Sequence, residues 1–252
     1  MTHVAPRRTV QPGLVTLVRG DMRELDAVEA AALLAEASRM PVMGCVLPVR
    51  TGAGLELVRA LAGAHVGRWE AWGDVARRAF ADVRAMVISG HTWRTAARAV
   101  WPALLRCPLY VQRRRPALPR HVLVAVDSPR TQTALAERLA PLTGRAGLRI
   151  TLAYAAVPAW ASSLSAAMGY PTFVESPERL RFPWPLTPAD ATGVCLPTTP
   201  LWGIRALAAD LRPDLVVLGV HRHRVREPSL AHPTAWLLSR ELPTDVLLCP
   251  VS

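Results

Sequence analysis

Two short stretches hold polar side chains just past apolar, strand-like runs, where they could meet a ligand. Asp127 follows the apolar run Val122 to Val126, and His221-Arg222-His223-Arg224-Val225-Arg226 follows Leu215-Val216-Val217-Leu218-Gly219-Val220. Three guanidinium forks and two imidazoles in six residues can hold an anion by charge-assisted hydrogen bonds, with the imidazoles adding charge below about pH 6.5. The same residues also make an ordinary solvated loop of a basic protein, and both readings stand. His221, His223 and His232 are of metal-binding type, but no acid or Cys joins them nearby, so no metal ligand is assigned. For catalysis there is little. The chain has no G-x-S-x-G, H-E-x-x-H or Walker pattern, Ser128 has no identifiable base, and His91 reads as a helix-start residue beside Thr92 and Trp93.

The elements that must position these residues are legible from their patterning. Asp214 to His221 is an acid, four branched aliphatics and a glycine: too short for a helix, apolar on both faces, and so a buried parallel strand covered by helices on both sides. In open α/β sheets ligands bind where such strands stop. A weaker copy runs from Asp82 through Ile88-Ser89-Gly90-His91, and the two copies predict two domains of about 120 to 130 residues each.

In chain order the first half reads as strand 14–18, a helix 22–40 that Asp21 can cap, strand 42–49 and a short helix 51–62. Strand 65–72, a helix from Asp74 through Phe80, strand 85–89, helix 92–105 and strand 107–111 complete it. The run Arg113-Arg114-Arg115 among prolines, with Arg120 close by, reads as a linker over 113–120. The order then restarts with strand 121–126, helix 131–142 and strand 148–157. After an interruption come strand 194–196, a helix 200–211 capped by Thr198 or Thr199, strand 214–221, helix 233–241 and strand 246–251. The expected fold class is α/β, two doubly wound five-stranded parallel sheets in tandem, over 1–112 and 121–252. Residues 158–193, rich in Pro and holding Trp160, Tyr170, Phe173, Phe182 and Trp184, form an insertion. It reads either as a lid or protein-partner surface or as a cover for an open face of the sheet.

Composition narrows the setting. With 51% hydrophobic and 19% charged residues the chain is globular, and at +11 its 30 basic residues are all Arg. Arginine suits an anionic partner, yet the even spread of these residues also fits a coding bias toward Arg and Ala. Cys45, Cys107, Cys195 and Cys249 lack C-x-x-C spacing and sit in apolar runs, so buried free thiols are expected. Arg7 and Arg8 are followed by no apolar region of a signal peptide, and the uncharged stretch 150–174 is broken by Pro158, Gly169 and Pro171, so neither a leader nor a membrane span is predicted. The expected location is the cytoplasm.

Val124-Ala125-Val126-Asp127-Ser128, then Pro213 to His221, then Thr244-Asp245-Val246-Leu247-Leu248-Cys249-Pro250-Val251, resemble the universal stress protein domain in order and spacing. The first half resembles it more loosely, through Gly20-Asp21, Ile88-Ser89-Gly90-His91 and Cys107 to Val111. The resemblance implies a five-stranded doubly wound sheet and, in nucleotide-binding members, an aspartate at the end of the first strand with a G-x-x-G-x9-G-[ST] phosphate loop after the fourth. Such a loop brings backbone N–H groups close to phosphate oxygens and so needs residues without Cβ. Asp127 fits the aspartate and Gly219 the first glycine, whereas Arg222, His232 and Pro233 stand where the other glycines and the hydroxyl residue belong. Thr234 is one place removed, and the first half lacks about a dozen residues of the loop.

The candidate ligand-contacting set on this resemblance is Asp127, Val157, Gly219, His221, Arg222, Arg224 and Thr234. The expected function is a non-catalytic stress-response or regulatory protein with no cofactor, not binding ATP in the usual mode. The alternatives are a nucleotide-binding sensor or weak ATPase using the second half alone, and a binder of a small anion or nucleic acid through loop 221–226. Family members pair through their last strands, so an internal pseudo-dimer through 109–111 and 246–251 is implied. Because an apolar edge strand needs covering, internal pairing predicts one chain mass by light scattering, and twice that mass contradicts it.

Overall fold

The computed structural model describes residues 13–48, 53–78, 80, 83–101, 103, 106–127, 129–143, 147–155, 191–196, 199–221 and 234–251. Val157, Arg222, Arg224 and almost all of the 158–193 insertion lie outside them. Ten strands alternate with seven helices among the described residues. In the first half β1 (Gly13–Val18), α1 (Leu25–Ser38), β2 (Val42–Val46), α2 (Ala53–Ala62), β3 (Arg68–Ala71), α3 (Trp72–Arg77), β4 (Val83–Ser89), α4 (Gly90–Val100) and β5 (Leu109–Gln112) follow one another. In the second half come β6 (His121–Val126), α5 (Pro129–Thr143), β7 (Arg149–Ala155), β8 (Ala191–Leu196), α6 (Pro200–Leu211), β9 (Leu215–His221), α7 (Thr234–Glu241) and β10 (Asp245–Val251).

The α/β class and the parallel pairing within each half agree with the sequence patterning, and the two five-stranded halves are continuous in one ten-stranded sheet. The strand order is β3-β2-β1-β4-β5-β10-β9-β6-β7-β8, and the halves join where β5 and β10 pair antiparallel. Leu248 faces Leu109, Leu247 faces Tyr110 and Val246 faces Val111. Every other pairing in the sheet is parallel. Two buried clusters coat the two faces and each crosses the seam. One gathers Trp93, Trp101, Ile204, Trp236 and Leu238 under α4, α6 and α7; the other gathers Val28, Val58, Leu135 and Leu139 under α1, α2 and α5. Trp236 packs edge-on against Trp101 at 4.8 Å and Trp93 at 5.6 Å between ring centroids, contacts worth about 0.5–1.5 kcal/mol each beyond their buried area. The Trp93 indole N–H donates to Ser239 Oγ at 3.1 Å, tying α4 to α7.

Several boundaries move for local reasons. Asp21 caps the 3-10 turn Met22–Glu24 that precedes α1. Ala71 precedes α3 in extended conformation, so Asp74 lies inside the first turn. Ser89 Oγ accepts the Thr92 N–H and starts α4 at Gly90, two residues early. Pro108 stays outside β5, although its carbonyl accepts from Met86 N. β8 starts at Ala191 because Ala191, Thr192 and Gly193 pair with Ile150, Thr151 and Leu152, so these three residues, expected in the insertion, are strand.

The Arg/Pro stretch between the halves is held at both ends. Asp245 Oδ1 accepts from Arg113 N and Arg114 N at 2.7 and 2.9 Å, and its Oδ2 accepts from the Tyr110 hydroxyl at 2.6 Å. Asp214 Oδ2 accepts from Arg120 N and His121 N at 2.9 and 3.0 Å, and its Oδ1 accepts from the Arg114 guanidinium at 2.8 Å. Burial pushes the Asp214 carboxyl up, but these amides and Arg114 together outweigh it and leave the pKa lowered. Burial, with Arg149 beside it, lowers the pKa of His121.

Both shifts make the fold acid-sensitive. A lowered folded-state pKa stabilises above the unfolded value and loses that contribution as pH falls, because the unfolded chain takes up a proton the folded chain refuses. The melting temperature should therefore fall below about pH 6.5 through His121 and again below about pH 4 through Asp214. His121→Gln should remove the first stage, and a thermal melt series from pH 7.5 to 3 checks it.

Candidate functional site

β6 hands the chain to β7 on one side and β9 hands it to β10 on the other, so the order of the second half reverses between β6 and β9. Their carboxyl ends form the crevice where open α/β sheets place ligands. Asp127, one residue past β6, and His221, the last residue of β9, meet there with Oδ2 and Nε2 2.6 Å apart. Leu218 and Val220 turn toward α6 and α7, and the intervening Gly219 and His221 turn the other way, as strand alternation requires.

A cavity of about 120 Å³ opens at this point, with Asp127, Thr131, Ile204, Gly219, His221 and Thr234 in its wall. Pockets for drug-sized ligands span about 300–1,000 Å³.

Gly219 lies within β9, opposite Cys249, two residues before the strand ends. A Cβ on it would stand 3.1 Å from Thr131 Cγ2 and 3.4 Å from Val251 Cγ2. The missing side chain thus lets α5 seat against the sheet, a role that needs no ligand. Sequence reasoning named Asp127, Gly219, His221 and Thr234, and the structure brings all four to one cavity. It missed Thr131, whose place is set only by how closely α5 approaches.

The first half repeats the pairing. Asp21, past the end of β1, faces His91, the second residue of α4, with Oδ2 and Nε2 3.3 Å apart. His91 does sit at a helix start, as its neighbours indicate, and it also answers the strand-end aspartate. The crevice between β1 and β4 further holds Glu24, a residue sequence reasoning passed over. Its signal was there in Asp21-x-x-Glu24, the spacing of a capping box, in which the side chain of the third helical residue reaches back to the cap.

Cys45, Cys107 and Cys249 are free and buried, and burial pushes each thiol up to about 12. At neutral pH they are packing residues rather than nucleophiles. Among the described residues no group of three or more His, Cys, Asp or Glu is placed to hold a metal ion, and no helix is long and apolar enough to cross a membrane.

The fold and crevice define a doubly wound α/β protein with its candidate site at a topological switch point. Residues 119–250 match the family model described as the universal stress protein family, and the chain belongs to that family. Its fold is similar to that of a universal stress protein from Archaeoglobus fulgidus DSM 4304 (11% identity over 96% of this chain and 98% of that one, TM-score 0.54). It is also similar to a candidate universal stress protein from Pseudomonas aeruginosa UCBPP-PA14 (15%, 96% and 94%, TM-score 0.62) and to a protein of unknown function from Pseudomonas aeruginosa PAO1 (15%, 96% and 93%, TM-score 0.60). No curated protein matches.

The close seating of α5 gives a stability test. Gly219→Ala should cost about 1–3 kcal/mol by overpacking against Thr131. Adding Thr131→Ser, which removes Cγ2, should recover most of that cost in urea denaturation.

Proposed function

We propose that this member of the universal stress protein family is a non-catalytic regulatory protein of the stress response, with two such domains in tandem paired internally through β5 and β10. Its second half takes a small anion at the ends of β6 and β9 and does not hold ATP in the usual mode. The family supports the stress-response role, and the antiparallel β5–β10 pairing supports the internal pseudo-dimer. The sequence carries no G-x-S-x-G, H-E-x-x-H or Walker pattern, and the same reading places the protein in the cytoplasm.

The observation that carries the binding mode is the 2.6 Å contact between Asp127 and His221. A nucleoside would need that carboxylate for its own hydroxyls or amino group, and His221 already holds it. Gly219 is seated against α5, and the cavity of about 120 Å³ suits an inorganic anion better than a nucleotide. Beyond His221 the chain continues Arg222-His223-Arg224, which brings two guanidinium groups into sequence beside the strand end. Asp127 and His221 then act as the fixed wall of the site, and the arginines supply the charge that answers the ligand.

Titration calorimetry separates this reading from a nucleotide sensor. ATP and ADP should bind no tighter than about 1 mM, and inorganic phosphate or pyrophosphate should bind with an affinity that falls as salt rises. Arg222→Ala with Arg224→Ala should weaken anion binding at least tenfold. Micromolar ATP binding that Asp127→Ala abolishes would favour the nucleotide reading instead.

A further inference from the structure

The crevice of the first half contains a carboxylate where its own backbone has made room for an anion. Glu24 ends the 3-10 turn after β1 and is fully buried. Its Oε2 accepts three successive backbone N–H groups, from Arg19 at 2.7 Å, Gly20 at 2.9 Å and Asp21 at 3.0 Å. Gly20 stands at φ +97°, and consecutive amides turned inward by a left-handed residue form the concavity that proteins use for anions. Glu24 Oε1 accepts the hydroxyl of Thr92 in the first turn of α4, where Ser89 Oγ already holds the Thr92 amide at 3.1 Å. One carboxylate therefore joins the end of β1 to the start of the helix after β4, across the switch point of the half.

The turn is also closed from its other side. A Cβ on Gly54 would stand 2.2 Å from the Gly20 carbonyl oxygen, and one on Gly20 would stand 2.8 Å from Leu55 N, so the start of α2 rests directly on the same turn. The sequence of the second half does not repeat this residue: three residues after Asp21 stands Glu24, and three residues after Asp127 stands Arg130.

We infer that Glu24 is an intramolecular ligand: its carboxylate fills the anion position of the first half, locks β1 to α4 and bars exchangeable anions from that crevice. The two halves are then unequal by construction, one carrying its own anion and the other offering a cavity. The inference on Glu24 stands apart from whatever the second half binds.

Chemical rescue tests it on the full chain. Glu24→Ala should lower the melting temperature by about 5 °C or more, since four donors lose their acceptor. Formate at about 100 mM should restore at least half of that loss where the same concentration of chloride does not, and it should leave the wild type unmoved. In NMR spectra of Glu24→Ala the formate-dependent shifts should fall on the amides of Arg19, Gly20 and Asp21, not on those around Asp127 and His221, which keeps the result distinct from ligand binding by the second half. Glu24→Gln keeps the side-chain volume if the alanine variant does not fold, and it should speed hydrogen exchange at the Gly20 and Asp21 amides at least tenfold. A wild-type melting temperature in Glu24→Ala, equal effects of formate and chloride, or unchanged exchange in Glu24→Gln would overturn the inference.

Discussion

The carboxylate of Asp245 is the point on which the joined sheet turns. It stands at the first residue of β10 and is buried, and it accepts from the Tyr110 hydroxyl on β5 and from the amides of Arg113 and Arg114 just beyond that strand. Burial, followed by the Asp245 charge and hydrogen bond, holds the Tyr110 hydroxyl well above its ordinary pKa, so it stays a donor. A buried carboxylate left without these donors would be costly, and with them it specifies which part of β5 meets which part of β10. The apolar pairs Leu109–Leu248 and Val111–Val246 then extend one sheet through both halves, and the tryptophans of α4 and α7 cover it.

Because β5 and β10 run antiparallel, all strands of the first half point opposite to those of the second. The two strand-end crevices therefore open on opposite edges of the sheet, and one ligand cannot bridge them. Each crevice has an aspartate facing a histidine, but the surroundings differ. In the first half the start of α2 rests on Gly20 and Glu24 fills the turn; in the second, α5 rests on Gly219 and a cavity remains beside Asp127. A common scaffold thus carries two strand-end crevices of different character.

The strands were legible in the sequence because burial on both faces writes continuous aliphatic runs, as in Leu215 to Leu218. The same logic found Asp127, His91 and His221 at strand ends. What stayed hidden depends on distance in the chain. His221 and Asp127 are 94 residues apart, and Tyr110 and Asp245 are 135 apart, so neither contact leaves a local pattern. The register in which β5 meets β10 rests on such a contact. The run Arg113-Arg114-Arg115 reads as a linker because its charges are visible in the sequence, while the bonds from its amides to Asp245 are not. Glu24 is the opposite case, since its spacing from Asp21 is a local signal.

We propose that the second half offers an exchangeable anion position and that the first half has filled its own. A crystal structure of protein taken from cells without added ligand tests this most directly. The expected result is density for a small anion beside Asp127 and His221, with Glu24 still bonded to the amides of Arg19, Gly20 and Asp21. A nucleotide across the ends of β1 and β4 with Glu24 displaced would contradict it.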